Sequence, residues 1–191
     1  MRKFYIALLV VGVLAGAPWA VTSAIWTDSA DIDANTFSTG SVDIATTPAT
    51  ALVTFSGMAP TDSVTEDLVV SNDGALELRY AISSSATNAD GKALKDQLTL
   101  TIKTVDATTP GTPCDDFDGT QLYTGDLDGS TGALVGDSAQ GADTGDRTLA
   151  AGADETLCFR VSLPSDTGNS YQSAATTATF TFDAEQTSSN P

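Results

Sequence analysis

Two stretches of this chain gather carboxylates at spacings that could do chemistry. Cys114-Asp-Asp-Phe-Asp118-Gly119 and Gly125-Asp126-Leu-Asp128-Gly129-Ser130 set acids at alternate positions beside glycine. Oxygen donors spaced this way can gather around Ca2+. Asp116, Asp118, Asp126 and Asp128 are therefore the candidate Ca2+ ligands. Neither stretch carries a loop-ending Glu at the distance an EF-hand requires. Asp and Gly are also good turn residues, so solvated turns explain the same pattern.

Other chemistry is limited by what the chain lacks. It has no His. A helical H-E-x-x-H zinc site needs two imidazoles on one face, and Ser/His or Cys/His nucleophile pairs need one. None can be built. No G-x-S-x-G motif occurs. Gly91-Lys92 is followed by Ala93, so it is not a phosphate-cradling loop. Leu163-Pro-Ser-Asp-Thr-Gly168 is one residue too long for a sortase signal and has no apolar span with a basic tail after it. The sequence therefore predicts no enzyme, no catalytic residues and no cofactor beyond possible Ca2+.

Cys114 and Cys158 are the two cysteines. In an exported chain such a pair reads as a disulfide. It would close a loop of about 44 residues, worth roughly 4 kcal/mol in the chain-entropy account. A two-thiol metal site is the alternative, but it needs further ligands and no imidazole is present.

The elements that must position these residues read as strands. Ser41–Thr46 and Ala51–Phe55 are short candidates. Val64–Ser71 follows, then the turn signal Asn72-Asp73-Gly74, which suits a tight hairpin. Ala75–Ser83 alternates, with Leu76, Leu78, Tyr80 and Ile82 on one face and Glu77, Arg79 and Ala81 on the other. This predicts a half-buried strand. Ala89–Asp96 suits one short helix. Leu98–Val105 alternates again.

Residues 106–147 are rich in Gly, Thr and Asp, with brief strands at Gln121–Tyr123 and Ala133–Val135. Leu157–Leu163 and Ala174–Ala184 complete the set, and Thr187–Pro191 reads as a frayed tail. The expected core is Leu52, Val69, Leu78, Tyr80, Ile82, Leu100, Ile102, Phe159, Val161, Phe180 and Phe182. Many short strands with little helix predict an all-β chain, a single antiparallel sandwich or jelly roll with at most one or two short helices.

The N-terminus carries export character. Arg2 and Lys3 precede Phe4–Ala20, a run nearly free of polar groups that contains Gly12, Gly16 and Pro18. At about 17 residues it is at the lower limit for spanning a bilayer, and it suits a signal peptide. Cleavage is expected between Ala24 and Ile25; the alternative is an uncleaved membrane anchor. The organisation read is 1–24 signal peptide, 25–37 N-terminal segment, 38–186 β domain and 187–191 tail. Loss of Arg2 and Lys3 takes the net charge from −17 to −19. Such a chain repels nucleic acid and anionic membrane surfaces, so neither is an expected partner. Membrane contact would come only through the uncleaved precursor.

Several stretches together resemble the TasA/CalY/camelysin family. They are Ala24-Ile-Trp-Thr-Asp28 with Asn35-Thr-Phe37-Ser-Thr-Gly40-Ser-Val-Asp-Ile44, then Leu68-Val-Val-Ser-Asn72-Asp-Gly74-Ala-Leu-Glu-Leu-Arg-Tyr80. Glu155-Thr-Leu-Cys-Phe-Arg-Val-Ser-Leu-Pro164, Gly168-Asn-Ser-Tyr-Gln172 and Phe180-Thr-Phe-Asp-Ala-Glu-Gln186 complete the likeness. It covers nearly all of the chain beyond residue 24. The resemblance implies a jelly-roll fold, processing by a SipW-type signal peptidase, and an extracellular or cell-surface fibre of biofilm matrix.

It also implies a homopolymer, in which the segment freed by cleavage inserts into the next subunit. Here that donor strand would be Ile25–Phe37, with Ile25, Ala30, Ile32, Ala34 and Phe37 offering small and apolar side chains for strand addition. The same segment could instead fold back as the first strand of its own domain. Two other functions stand against the fibre: a secreted metal-dependent peptidase, since some family members carry that label, and a monomeric calcium-binding or adhesive sandwich.

Overall fold

The computed structural model describes residues 38–50, 52–53, 56–105, 113–129 and 132–190. The expected signal peptide, the expected Ala24–Ile25 cleavage junction and the Ile25–Phe37 segment lie outside the described residues. No helix among those described is long and apolar enough to cross a membrane.

The described residues form nine strands. They are β1 Ile44–Thr47, β2 Ser63–Asn72, β3 Leu78–Ala86, β4 Thr99–Thr104, β5 Gln121–Asp126, β6 Ala133–Val135, β7 Arg147–Leu149, β8 Asp154–Ser162 and β9 Ala178–Gln186. Leu94–Gln97 is a single helical turn, α1, and Asn169–Tyr171 a 3-10 turn. Every strand pair is antiparallel. One sheet has the order β1-β2-β8-β4-β5.

In the other sheet β9 pairs along the whole of β3, from Leu78 to Ala86. A strand has two hydrogen-bonding sides, so β7 (against Leu78–Tyr80) and β6 (against Ile82–Ser83) share β3's other side end to end. The chain changes sheet at β2–β3, β3–β4, β5–β6, β7–β8 and β8–β9. The result is an antiparallel β-sandwich, as the alternation predicts.

The core lies between the sheets. Leu68, Val70, Leu100, Ile102, Leu157, Phe159 and Val161 face Leu78, Tyr80 and Ile82. The Phe159 and Phe180 rings meet edge-on with centroids 5.3 Å apart, and the Tyr80 and Phe182 rings lie tilted at 6.1 Å. Such aromatic pairs add about 0.5–1.5 kcal/mol beyond their burial.

Several expectations need correction. Val69 is half-buried on the outer face, because period two puts its neighbours Leu68 and Val70 inward. Phe180 and Phe182 pack on the core but stay half-buried, since β9 is at the sheet's margin. Leu52 touches the core from outside any strand, and Ala51, Thr54 and Phe55 are not among the described residues. The helix is shorter than Ala89–Asp96. β5 runs on to Asp126, and β7 was not expected.

Asn72-Asp73-Gly74 is not a hairpin turn. β2 and β3 lie in different sheets, so the segment is a crossover. Nor is β3 half-buried: Arg79 is 7% and Ala81 4% exposed. Loop 136–146 covers that outer face. Asp137, Ser138 and Gln140 line one cavity of about 250 Å3 with Arg79 and Ala81, and the Gly141 amide donates to Glu185 Oε1 at 2.9 Å. The tail is tied down as well. The Thr187 amide donates to the Glu77 carbonyl (3.2 Å), and Arg79 Nη2 to the Asn190 carbonyl (2.6 Å).

Candidate assembly edge and acidic loops

β9 reads Ala-Thr-Phe-Thr-Phe-Asp-Ala-Glu-Gln. Its alternation turns Phe180, Phe182 and Ala184 toward the core, while Thr179, Thr181 and Asp183 are exposed. Among the described residues β9 pairs only with β3. Its far side, nine residues long, therefore has no strand partner among the described residues. Such an edge is a template for another strand. The first sheet has a smaller gap. β1 spans only Val69–Asn72 of β2, so among the described residues Ser63–Leu68 have no strand on that side.

The acidic loops flank β5. Asp116 and Asp118 are exposed before its start, and Asp126 and Asp128 lie at its far end. Six residues at about 3.3 Å each separate the two groups by about 20 Å. The structure does not bring the four Ca2+ candidates together. Asp128 is engaged by Lys95 Nζ at 2.8 Å, and the same ammonium reaches Asp96 at 2.7 Å. Those hydrogen bonds, Asp128's first, hold the Lys95 pKa above its ordinary value. Cys114 and Cys158 form the expected disulfide.

Two polar clusters on β3 escaped the sequence reading. Arg79 Nε meets Glu185 Oε1 at 2.6 Å, and Asn190 Nδ2 donates to Glu185 Oε2 at 2.7 Å. The Arg79 hydrogen bond holds the Glu185 carboxyl below the usual range. Between the sheets, the Tyr80 hydroxyl donates to Glu155 Oε1 at 2.6 Å, and Arg147 grips the same carboxylate through Nε (3.2 Å) and Nη2. Only a link between Tyr80 and Glu155, 75 residues apart, would have signalled this, and a single sequence does not show it.

Burial first, and then the Glu155 hydrogen bond, push the Tyr80 phenol well above its ordinary pKa. The folded state thus holds this proton more tightly than the unfolded chain. Its contribution is intact below about pH 10 and is lost as pH climbs beyond the unfolded value. Between pH 10 and 11.5 the natural chain should lose about 2 kcal/mol more stability than Tyr80→Phe. Urea titrations at pH 9 and 11.5 test this, and equal losses would refute it.

A family model described as camelysin metallo-endopeptidase matches residues 5–191. The chain belongs to the camelysin family. No curated protein matches it. The family's description implies a metal, which the donors of this camelysin-family chain would have to hold. The chain has no imidazole, and both thiols are spent in the disulfide. Among the described residues no group of three or more Cys, Asp or Glu side chains could hold a metal ion. These residues do not fit a zinc endopeptidase centre, whose ligands are drawn mainly from imidazoles with carboxylate or thiolate support.

Proposed function

We propose that this camelysin-family chain is an exported structural subunit that polymerises into extracellular matrix or surface fibres by strand addition. A SipW-type signal peptidase would cut between Ala24 and Ile25, freeing Ile25–Phe37 as the donor. The observation that carries the reading is the side of β9 that no strand among the described residues covers, nine residues long and backed by the half-buried rings of Phe180 and Phe182. A donor strand laid there gains backbone hydrogen bonds and an apolar seat. A head-to-tail contact of this kind need not close, so repetition gives a filament.

The test is deletion of residues 25–37 from the mature chain. Filaments should form from the natural sequence and be absent from the deletion, read by electron microscopy and light scattering. Normal polymerisation of the deleted chain would sink the proposal. The family's description favours a peptidase instead. Chelator-sensitive digestion of casein by the pure protein would establish that reading over the structural one.

A further inference from the structure

We propose that the donor Ile25–Phe37 seats on β9 of a second copy in one register and one direction. It lies parallel to β9, with Ile32 beside Phe180, Asp31 beside Thr179 and Asp33 beside Thr181. This register presupposes strand addition at β9. Thr179 and Thr181 are then the residues of the acceptor that fix where the donor stops.

Two alternations have to match. β9 turns Phe180, Phe182 and Ala184 toward the core and leaves Thr179, Thr181 and Asp183 exposed. In the donor, Ala30, Ile32 and Ala34 alternate with Asp31 and Asp33. Successive side chains of a strand point to opposite faces, so the donor has two ways to lie. With Asp31 and Asp33 inward, two carboxylates would be desolvated beside the rings of Phe180 and Phe182, at high cost. The donor therefore turns Ala30, Ile32 and Ala34 inward. Only slips of two residues keep that face.

Charge chooses among those slips. Neighbouring strands lie about 4.8 Å apart, so residues side by side on one face are close. Two carboxylates at such a spacing repel even in water. Asp183 is the exposed acid of β9, whereas Glu185 is ion-paired with Arg79 Nε at 2.6 Å. In the chosen register Asp31 and Asp33 lie beside two threonines, whose hydroxyls can donate to a carboxylate. Asn35 falls beside Asp183 and offers its amide as a donor. Ile32 and Ala34 fall beside the two rings. Asp183 stays a diagonal neighbour of Asp33, so some repulsion persists for salt to screen.

The alternatives each carry a fault. Moved two residues toward Gln186, the donor sets Asp33 beside Asp183. Moved two residues the other way, it takes Ile32 off both rings and brings Thr36 beside Phe182. Run antiparallel with Ile32 still beside Phe180, it turns Asp28 inward beside Ala184. The antiparallel slips set Asp31 beside Asp183 or Asp28 beside Phe182. In the parallel seat Asp28 lies beyond Ala178, off the strand.

The experiment mixes two variants of the mature chain. One carries Asp33→Cys. The other carries Thr181→Cys, with Thr179→Cys and Asp183→Cys as comparisons; all three β9 positions are exposed, away from the core. Filaments are grown, mildly oxidised and digested, and the linked peptides are measured by mass spectrometry. Because a disulfide needs its two Cα atoms within about 7 Å, linkage through Thr181→Cys should exceed either comparison by about fivefold or more. Separately, Thr181→Asp should slow elongation about threefold or more at low salt, and Asp33→Asn in the same chain should restore it. Filaments linked mainly through Thr179→Cys or Asp183→Cys overturn this register and leave strand addition standing. Thr181→Asp filaments that grow at the natural rate overturn it as well. A mature chain that forms no filaments overturns both the register and strand addition.

Discussion

Asn72→Ala is expected to cost about 3 kcal/mol of stability, and Asn72→Asp more, about 4–5 kcal/mol. Asn72 is fully buried at the end of β2. Its Nδ2 donates to the carbonyls of Leu76 (2.8 Å), Leu149 (3.1 Å) and Ala150 (3.1 Å). Its Oδ1 accepts the Gly74 amide at 3.0 Å. One side chain thus satisfies backbone groups on the crossover, on β7 and on the turn after it. Alanine removes this donor from all three carbonyls, of which Ala150 keeps the Ala153 amide at 3.0 Å. Aspartate also places a carboxylate among them, which must either carry buried charge or take up a proton.

The backbone around Asn72 raises the stakes. Gly74 approaches so closely that a Cβ would lie 2.5 Å from the Ser41 carbonyl oxygen, and the Ala75 amide donates to that same oxygen at 3.0 Å. The crossover therefore fixes where β3 begins, and β3 is the strand on which β9 is built. Urea unfolding followed by tryptophan-independent circular dichroism should show the midpoint falling by about 1–2 M for the alanine variant. A shift within error, with an unchanged slope, would mean that water replaces the amide at no cost.

This crossover also shows where the sequence stops being informative. Alternation located β2, β3, β4 and β8 because each has one face on the shared core, and burial of that face is encoded residue by residue. Turn chemistry located Asn72-Asp73-Gly74 but could not tell a hairpin from a change of sheet. Both need a sharp reversal, and only the long-range partners Leu149 and Ala150 decide between them. Arg79 and Ala81 looked solvent-facing because their cover comes from loop 136–146 and from Asn190, far away in sequence. Three-residue β7 is too short for any period to show. Of the candidate site, the Cys114–Cys158 bond was legible from the cysteine count and export character. The open side of β9 was not, since which strand ends a sheet is a property of topology.

A free peptide with the sequence of Ile25–Phe37, added in about tenfold molar excess, is expected to stop filament growth, while a scrambled peptide of the same composition leaves it unchanged. If elongation consists of seating each donor on the next subunit's open edge, a peptide in that place ends the filament without supplying a new edge. β9 offers about 30 Å of backbone, nine residues at about 3.3 Å each, which a thirteen-residue segment can span. Ile25, Trp26, Ile32 and Phe37 supply its bulk, and Asp28, Asp31 and Asp33 give it three negative charges with no basic residue. Those charges meet Asp183 on the edge and the excess negative charge of the chain, so the inhibition should strengthen as salt shortens the screening length to about 8 Å at 0.15 M. The peptide separates two meanings of a failed deletion variant. If deletion abolishes filaments but saturating peptide does not slow them, the N-terminal segment is needed for folding its own domain rather than for joining the next one.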